Sequence, residues 1–237
     1  MSDITYMSPH GELPGYLAVP SGPGGPSPAV VLIHDIFGMS ANLRAHADRF
    51  ANHGYIALAP DLFAWGGKIR CLRAIFAALR DRTGRPFDYI DAARQWVAKR
   101  NDCTGRVGVI GYCMGGGFAL LAASPEHEFA ASSVNYGTVP DDAESVLAGA
   151  CPIVGSFGGR DHHPPSGTAN RLANTLESLG IDHDVKEYSG VGHGFMNDHR
   201  GPVTVIAKVM GAGYNAEASE DAWGRILDFF GQHLRLP

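Results

Sequence analysis

The fold is decided at residues 107–117, where an apolar run passes directly into a glycine-rich turn. The chain there reads Val107-Gly108-Val109-Ile110-Gly111-Tyr112-Cys113-Met114-Gly115-Gly116-Gly117. A short β-branched run is typical of a strand buried in a parallel sheet. The glycines that follow permit a sharp turn into a helix. Cys113 stands at the centre of the pattern G-x-Nuc-x-G, in which a nucleophile occupies a strained strand-to-helix turn. The stretch therefore predicts a nucleophilic cysteine.

The helix that follows this turn would direct its N-terminus at the Cys113 sulfur. The partial positive charge of a helix N-terminus favours a thiolate, and the Met114 N–H is placed to donate to an oxyanion. Two other interpretations exist for the turn: a buried cysteine that only packs, and a phosphate-binding loop. No G-x-G-x-x-G occurs here and no Lys-Ser/Thr pair follows, so a nucleotide site is the weaker prediction.

Strand-like and helical patterns alternate along the rest of the chain. Strands are predicted at residues 29–33, 55–59, 107–110, 131–134, 153–157 and 185–188, and helices at residues 43–51, 68–82, 90–97, 118–123, 166–179 and 223–234. Repeated βα units imply an α/β fold with a mostly parallel, doubly wound sheet flanked by helices. Ligands bind such sheets at the carboxyl ends of the strands.

The length of the chain, 237 residues, suits one α/β domain over residues 1–237. The Gly- and Pro-rich stretch 21–28 resembles a linker, but only about twenty residues precede it, too few for a domain. We therefore expect this stretch to be a hairpin loop between two early edge strands.

Composition and charge exclude several classes of partner. The formal net charge is −5 and Lys and Arg are not concentrated in any segment, so neither nucleic acid nor an anionic membrane surface is expected. No apolar run reaches the length of a membrane helix. The first residues lack the pattern of a signal peptide, which predicts a cytoplasmic protein with reduced thiols. The four cysteines have no metal-ligand spacing, so no metal is predicted.

Two further predicted strand ends carry the partners that a nucleophile needs. Asp161 follows the strand at 153–157, and His193 lies in a glycine-rich loop after the strand at 185–188. In this order, nucleophile, acid and histidine can assemble a triad in which His193 accepts the thiol proton and Asp161 orients it. The alternatives are a helix-capping role for Asp161 and a surface position for His193. His162 and His163 are adjacent residues, which rarely bind one metal together.

With these turns in view, the sequence resembles the dienelactone hydrolase family (carboxymethylenebutenolidase-like proteins), which has the α/β-hydrolase fold. The matching segments span nearly the whole chain: His34-Asp35-Ile36-Phe37-Gly38, Pro60-Asp61-Leu62-Phe63, Gly111-Tyr112-Cys113-Met114-Gly115-Gly116, Gly159-Arg160-Asp161 and Gly192-His193-Gly194-Phe195. The resemblance implies a Cys113–His193–Asp161 triad, an oxyanion hole formed by the backbone N–H groups of Ile36 and Met114, and no cofactor.

Two positions depart from the family pattern. Asp35 stands where family members carry a Glu that pairs with the resting thiol and takes part in its activation. Because Asp is one methylene shorter, it either contacts Cys113 or only braces its loop. Asn197 stands about where the family has an Arg that holds a substrate carboxylate. Arg70, Arg73 and Arg200 are either replacements for that Arg or surface charges.

The expected reaction is therefore acyl transfer from a small ester or lactone through a thioester on Cys113. A general carboxylesterase or thioesterase is the alternative within enzymes. Outside enzymes, the chain could be a catalytically silent scaffold that binds a small ligand, or a redox-sensing thiol protein. No resolving cysteine is close to Cys113 in sequence, which makes the redox alternative weaker.

Overall fold

A computed structural model of the chain describes residues 1–22, 25–199 and 213–235. The strands are β1 (Ser2–Ser8), β2 (Gly11–Ala18), β3 (Ser27–Ile33), β4 (Ile56–Pro60), β5 (Cys103–Tyr112), β6 (Ala131–Asn135), β7 (Ile153–Gly158) and β8 (His183–Tyr188). The helices in these ranges are α1 (Ala41–Asn52), α2 (Lys68–Asp81), α3 (Arg85–Ala98), α4 (Met114–Leu121), α5 (Ala143–Val146), α6 (Thr168–Ser178) and α7 (Ala216–Leu234).

The strands form one eight-stranded sheet in the order β1-β2-β4-β3-β5-β6-β7-β8. Strand β2 is antiparallel to β1 and to β4, and all other neighbours are parallel. The prediction of a mostly parallel α/β sheet is therefore confirmed. Within the described ranges, no helix is both long and apolar enough to cross a membrane.

The prediction for stretch 21–28 is wrong. The early hairpin is formed by β1 and β2, whose strands join at Ser8 and Gly11. The stretch instead leads from β2 to β3, which lies on the far side of β4. Because β3 is apolar on both faces, it is best buried in the middle of the sheet, and the chain must cross over to reach that place. Pro23 and Gly24 of this stretch lie outside the described residues.

Both faces of the sheet are covered. Alternate side chains of β3 point to opposite faces: Val31 packs in a cluster with residues of α2, α3 and α4, and Val30 packs in a cluster with residues of α1 and α7. Both valines are completely buried. Helix α1 begins where the Ser40 hydroxyl accepts the Leu43 N–H at 3.2 Å, which satisfies one of the free donors of its first turn.

The turn between β5 and α4 has no room for side chains. A Cβ added at Gly111 would lie 1.9 Å from the Gly115 carbonyl oxygen, and one added at Gly115 would lie 2.3 Å from the Ile33 carbonyl oxygen. Backbone therefore packs on backbone where α4 starts, next to the ends of β3 and β5. This close approach explains why the turn needs glycine at these positions.

Gly115→Ala should destabilise the fold strongly, because its new methyl group overlaps backbone atoms that cannot move independently. We expect a loss of about 3 kcal/mol or more in the free energy of unfolding, measured by urea denaturation. The matched control is Gly224→Ala on the exposed face of α7, where an added Cβ meets nothing within 4 Å. That change should stabilise the protein by about 0.5–1 kcal/mol. Equal effects at the two sites would contradict the packing described here.

Candidate active site

Cys113 occupies a strained turn at the carboxyl edge of the sheet. Its backbone angles, φ 56° and ψ −117°, lie in a region that residues with a side chain rarely adopt. The turn is tied to the neighbouring strand because the Cys113 N–H donates to the Asn135 carbonyl at 3.0 Å. Its side chain is partly exposed. Strain of this kind is common where a nucleophile must project from a strand-to-helix turn.

Asp161 and His193 are brought together by the loops after β7 and β8. Asp161 Oδ2 accepts a hydrogen bond from His193 Nδ1 at 2.7 Å, and Asp161 Oδ1 accepts the His163 N–H at 2.8 Å. The Asp161 side chain is almost fully buried and His193 is only partly exposed. The alternative of a helix cap is wrong for Asp161, since α6 begins at Thr168 with Gly167 as its N-cap. The alternative of a free surface histidine is equally wrong for His193.

The surroundings of His193 favour its charged form. Burial by itself would lower the pKa of His193, but the hydrogen bond with Asp161 and the interaction with the nearby Cys113 side chain outweigh it and raise the pKa to about 10. Since Nδ1 is bonded to Asp161, the interaction with Cys113 falls to Nε2. An imidazole held in this way can carry a proton next to the sulfur.

The ring of Tyr136 packs against the ring of His193. Their rings meet edge to face with centroids 5.1 Å apart, and the Tyr136 side chain is completely buried. The residue has a φ of 41°, unusual for an aromatic residue, and its N–H donates to the Ser156 carbonyl at 2.7 Å. Burial raises the pKa of the Tyr136 phenol well above its usual range, so it stays neutral. No sequence motif marks Tyr136, so its place beside His193 was not predicted.

Two backbone N–H groups, one in this turn and one in the loop after β3, have no hydrogen-bond acceptor among the described residues. The Met114 N–H belongs to the first turn of α4, where a helix has no internal acceptor. The Ile36 N–H lies in the loop after β3, and in the described part of the chain neither N–H has a hydrogen-bond acceptor. Here we call residues 35–38 the oxyanion loop, after the role that the sequence analysis predicts for the Ile36 N–H. Its turn is closed by the Gly38 N–H, which donates to the Asp35 carbonyl at 3.1 Å.

Asp35 is fully engaged within this loop and with the histidine loop, residues 193–199. Its Oδ1 accepts the Phe37 N–H, and its Oδ2 accepts from Asn197 Nδ2 and from His199 Nε2, each at 2.8 Å. Among the described residues, no hydrogen bond joins its carboxylate to Cys113. The geometry therefore favours the bracing alternative for Asp35. His199 and Asn197 were not expected as its partners, since more than 160 positions separate each from it.

His34 anchors the other side of the same loop. The ring is completely buried, with Nδ1 donating to the Asp35 carbonyl at 2.7 Å and Nε2 accepting the Leu62 N–H at 3.1 Å. Burial lowers the pKa of His34, so the imidazole is neutral and both of its nitrogens have partners. This histidine is structural: it joins the ends of β3 and β4 under the oxyanion loop.

Two of the three arginines considered above line one groove. The groove has a volume of about 900 Å³ and runs along the start of α2; its walls include Trp65, Lys68, Arg70 and Arg73. Lys68 approaches Gly38 of the oxyanion loop, since a Cβ on Gly38 would lie 4.0 Å from Lys68 Cε. Arg200 lies outside the described residues. Within those residues, no cluster of three His, Cys, Asp or Glu side chains could hold a metal.

Titration of His193 by NMR should give a pKa near 10 in the wild type, far above its ordinary value of 6.5. Asp161→Asn should lower that pKa because it removes the charged hydrogen-bond partner. A folded-state pKa above the unfolded value stabilises the fold fully below about pH 6.5, and this contribution is lost as the pH rises toward 10. The difference in the free energy of unfolding between wild type and Asp161→Asn should therefore decrease as the pH rises from about 6.5 toward 10. His193→Gln identifies the resonance, and a wild-type pKa near 6.5 would contradict the prediction.

Comparisons with known proteins agree with this architecture. The model of the dienelactone hydrolase family matches residues 13–234. A Yersinia pestis protein with the provisional name carboxymethylenebutenolidase is 27% identical to this chain, and the alignment covers 98% of this chain and 88% of the Yersinia protein. A similarly named Saccharolobus solfataricus protein is 27% identical, and the alignment covers 96% of both chains. Among solved structures, a Klebsiella pneumoniae protein described provisionally as a dienelactone hydrolase has a TM-score of 0.78 at 22% identity, over 98% of both chains. The family match spans nearly the whole chain, and the protein belongs to the dienelactone hydrolase family.

Proposed function

We propose that this protein hydrolyses a small carboxylic ester or lactone, with Cys113 as nucleophile and His193 and Asp161 as its supporting pair. The observation that carries the proposal is the arrangement at the sheet edge: a strained cysteine turn next to an imidazole bonded to a buried carboxylate at 2.7 Å. Membership of the family supports the reaction class. The triad and the thioester are our inference from the geometry.

The acylation half of the reaction begins with a thiolate beside an imidazolium. The raised pKa of His193, about 10, keeps the imidazole protonated near neutral pH, and a neighbouring imidazolium favours the thiolate form of a cysteine. The sulfur attacks the carbonyl carbon, and the resulting oxyanion accepts hydrogen bonds from the free N–H groups of Ile36 and Met114. When the tetrahedral adduct collapses, the C–O bond breaks and the leaving oxygen takes the proton of His193. A thioester and a neutral imidazole remain.

The deacylation half uses the imidazole in the opposite role. Once the sulfur is acylated it carries no negative charge, so one of the causes of the high pKa of His193 is gone. The neutral ring then accepts a proton from water as the oxygen attacks the thioester carbonyl. Collapse of the second adduct releases the carboxylic acid and restores the thiolate next to the imidazolium.

The groove along α2 suggests which esters are preferred. Lys68, Arg70 and Arg73 give it an excess of positive charge, and Trp65 adds an apolar wall. Together they could receive the carboxylate of an anionic substrate, which is the role left open for Arg70 and Arg73. A general carboxylesterase would make no use of these charges, so substrate charge separates the two hypotheses.

Cys113→Ala should reduce kcat/KM for p-nitrophenyl acetate by about 1,000-fold or more, because it removes the nucleophile. In His193→Ala, mass spectrometry after a brief incubation should find acyl mass on the peptide that contains Cys113, since attack by water lacks its base. The matched control is Cys103→Ala, which should leave the rate unchanged. Cys103 is a partly buried thiol at the end of β5 opposite to Cys113. Turnover that survives in Cys113→Ala would overturn the proposal in favour of a ligand-binding scaffold.

The double variant Arg70→Ala/Arg73→Ala should raise KM for mono-p-nitrophenyl succinate by about 10-fold, the value of one lost charge-assisted contact. KM for neutral p-nitrophenyl acetate should not change. Arg80→Ala serves as control, because this exposed arginine of the same helix pairs with Asp81 outside the groove. A similar rise for both esters would show that the groove does not read substrate charge.

A further inference from the structure

A row of hydrogen bonds runs from helix α1 to the oxyanion loop. Asn42 Nδ2 donates to Asn197 Oδ1 at 3.3 Å, and Asn197 Nδ2 donates to Asp35 Oδ2 at 2.8 Å. Asn42 Oδ1 in turn accepts the Asp198 N–H at 3.0 Å. The row therefore connects three parts of the fold that carry the site: α1, the histidine loop and the oxyanion loop.

Asn42 and Asp35 together fix which way the amide of Asn197 faces. The two ends of an amide side chain are nearly equal in shape but opposite in hydrogen bonding. The donor on Asn42 holds Asn197 Oδ1 on its own side, which turns Asn197 Nδ2 toward the Asp35 carboxylate. The reversed amide would bring its oxygen against a carboxylate oxygen. Asn197 and Asp35 are both almost fully buried, so such a contact would be costly.

Asp35 connects this row of side-chain hydrogen bonds to the backbone of the oxyanion loop. Its carboxylate is held by Asn197 on one side and holds the Phe37 N–H on the other, and its main chain adjoins the Ile36 N–H. His34 already fixes the Asp35 carbonyl from beneath. The carboxylate is thus an attachment of the loop beside the His34 bond, and it is held by His199 and by Asn197, which Asn42 holds in turn.

We propose that Asn42 is a positioning residue for the oxyanion hole: through Asn197 and Asp35 it holds the Ile36 N–H where the developing oxyanion needs it. The inference rests on the proposed acyl transfer. A role as helix cap does not account for Asn42, because Ser40 already caps α1. An oxyanion donor works only at hydrogen-bond distance from a site that forms in the transition state, so a shift of about 1 Å can cost up to about 100-fold in rate.

The test compares two reactions of the same sulfur. Hydrolysis of p-nitrophenyl acetate needs the oxyanion hole, whereas alkylation of Cys113 by iodoacetamide needs the thiolate and no oxyanion donor. Asn42→Ala should lower kcat for the ester by about 10- to 100-fold with little change in KM. The rate of alkylation should stay within about twofold of the wild type. A trifluoromethyl ketone, whose adduct places an oxyanion in the hole, should lose affinity by the same factor as kcat/KM.

Controls separate positioning from damage to the fold. Asn52→Ala removes an exposed asparagine at the end of the same helix and should change none of the three measurements. Asn42→Asp is isosteric and keeps the acceptor for the Asp198 N–H, but it cannot donate to Asn197 at neutral pH. It should reproduce the loss in kcat even if Asn42→Ala proves unstable. In an Asn197→Ala background, Asn42→Asp should cost nothing further, since it keeps the acceptor for the Asp198 N–H and the donor bond that it loses acts through Asn197.

Several outcomes would overturn the inference. An equal fall in the alkylation rate would mean that Asn42 acts on Cys113 or His193 instead of the oxyanion hole. Full activity in Asn42→Ala or in Asn42→Asp, or additive losses of Asn42→Asp and Asn197→Ala, would remove the positioning role. Failure of the proposed function is distinguishable from all of these, because it would appear in the wild type as a lack of ester turnover that depends on Cys113.

Discussion

The contact of backbone on backbone at the start of α4 is the constraint on which the rest of the site depends. Gly111, Gly115 and Gly116 leave no space for a Cβ against the ends of β3, β5 and β6, and this closeness forces Cys113 into its strained conformation. Because α4 starts at the sheet edge, its free N–H groups and the sulfur lie at the same place. A looser turn would move the sulfur away from both the imidazole and the amide donors.

The site contains two buried carboxylates, those of Asp161 and Asp35, which have different hydrogen-bond partners. Asp161 bonds to His193 and favours the imidazolium. This suits the proposed reaction, in which the ring holds and returns a proton. Asp35 is saturated by donors from Phe37, Asn197 and His199. A buried carboxylate with three donors is a rigid junction between the segments that supply them. In the proposed reaction, Asp161 would therefore serve proton transfer and Asp35 would hold the oxyanion loop in place.

Much of this arrangement was predictable from local patterns. The alternation of strands and helices, the glycine-rich turn around Cys113, and the positions of Asp161 and His193 after two predicted strands all depend on residues close to one another in the chain. The parallel sheet then brings strand ends to one edge. The error at stretch 21–28 has the same origin, because a loop's composition does not say which strands become neighbours in the sheet.

The sequence by itself thus determined the fold class, the glycine-rich turn at Cys113 and the order of the candidate triad. Each depends on short-range periodicity and on residues that tolerate unusual backbone angles. Only the tertiary structure decided what Asp35 contacts, that Tyr136 packs under His193, and that Asn42 reaches Asn197. These contacts join segments separated by up to 164 residues. Their partners are set by side-chain packing and by the need of buried polar groups for hydrogen bonds, and neither leaves a signature in the local sequence.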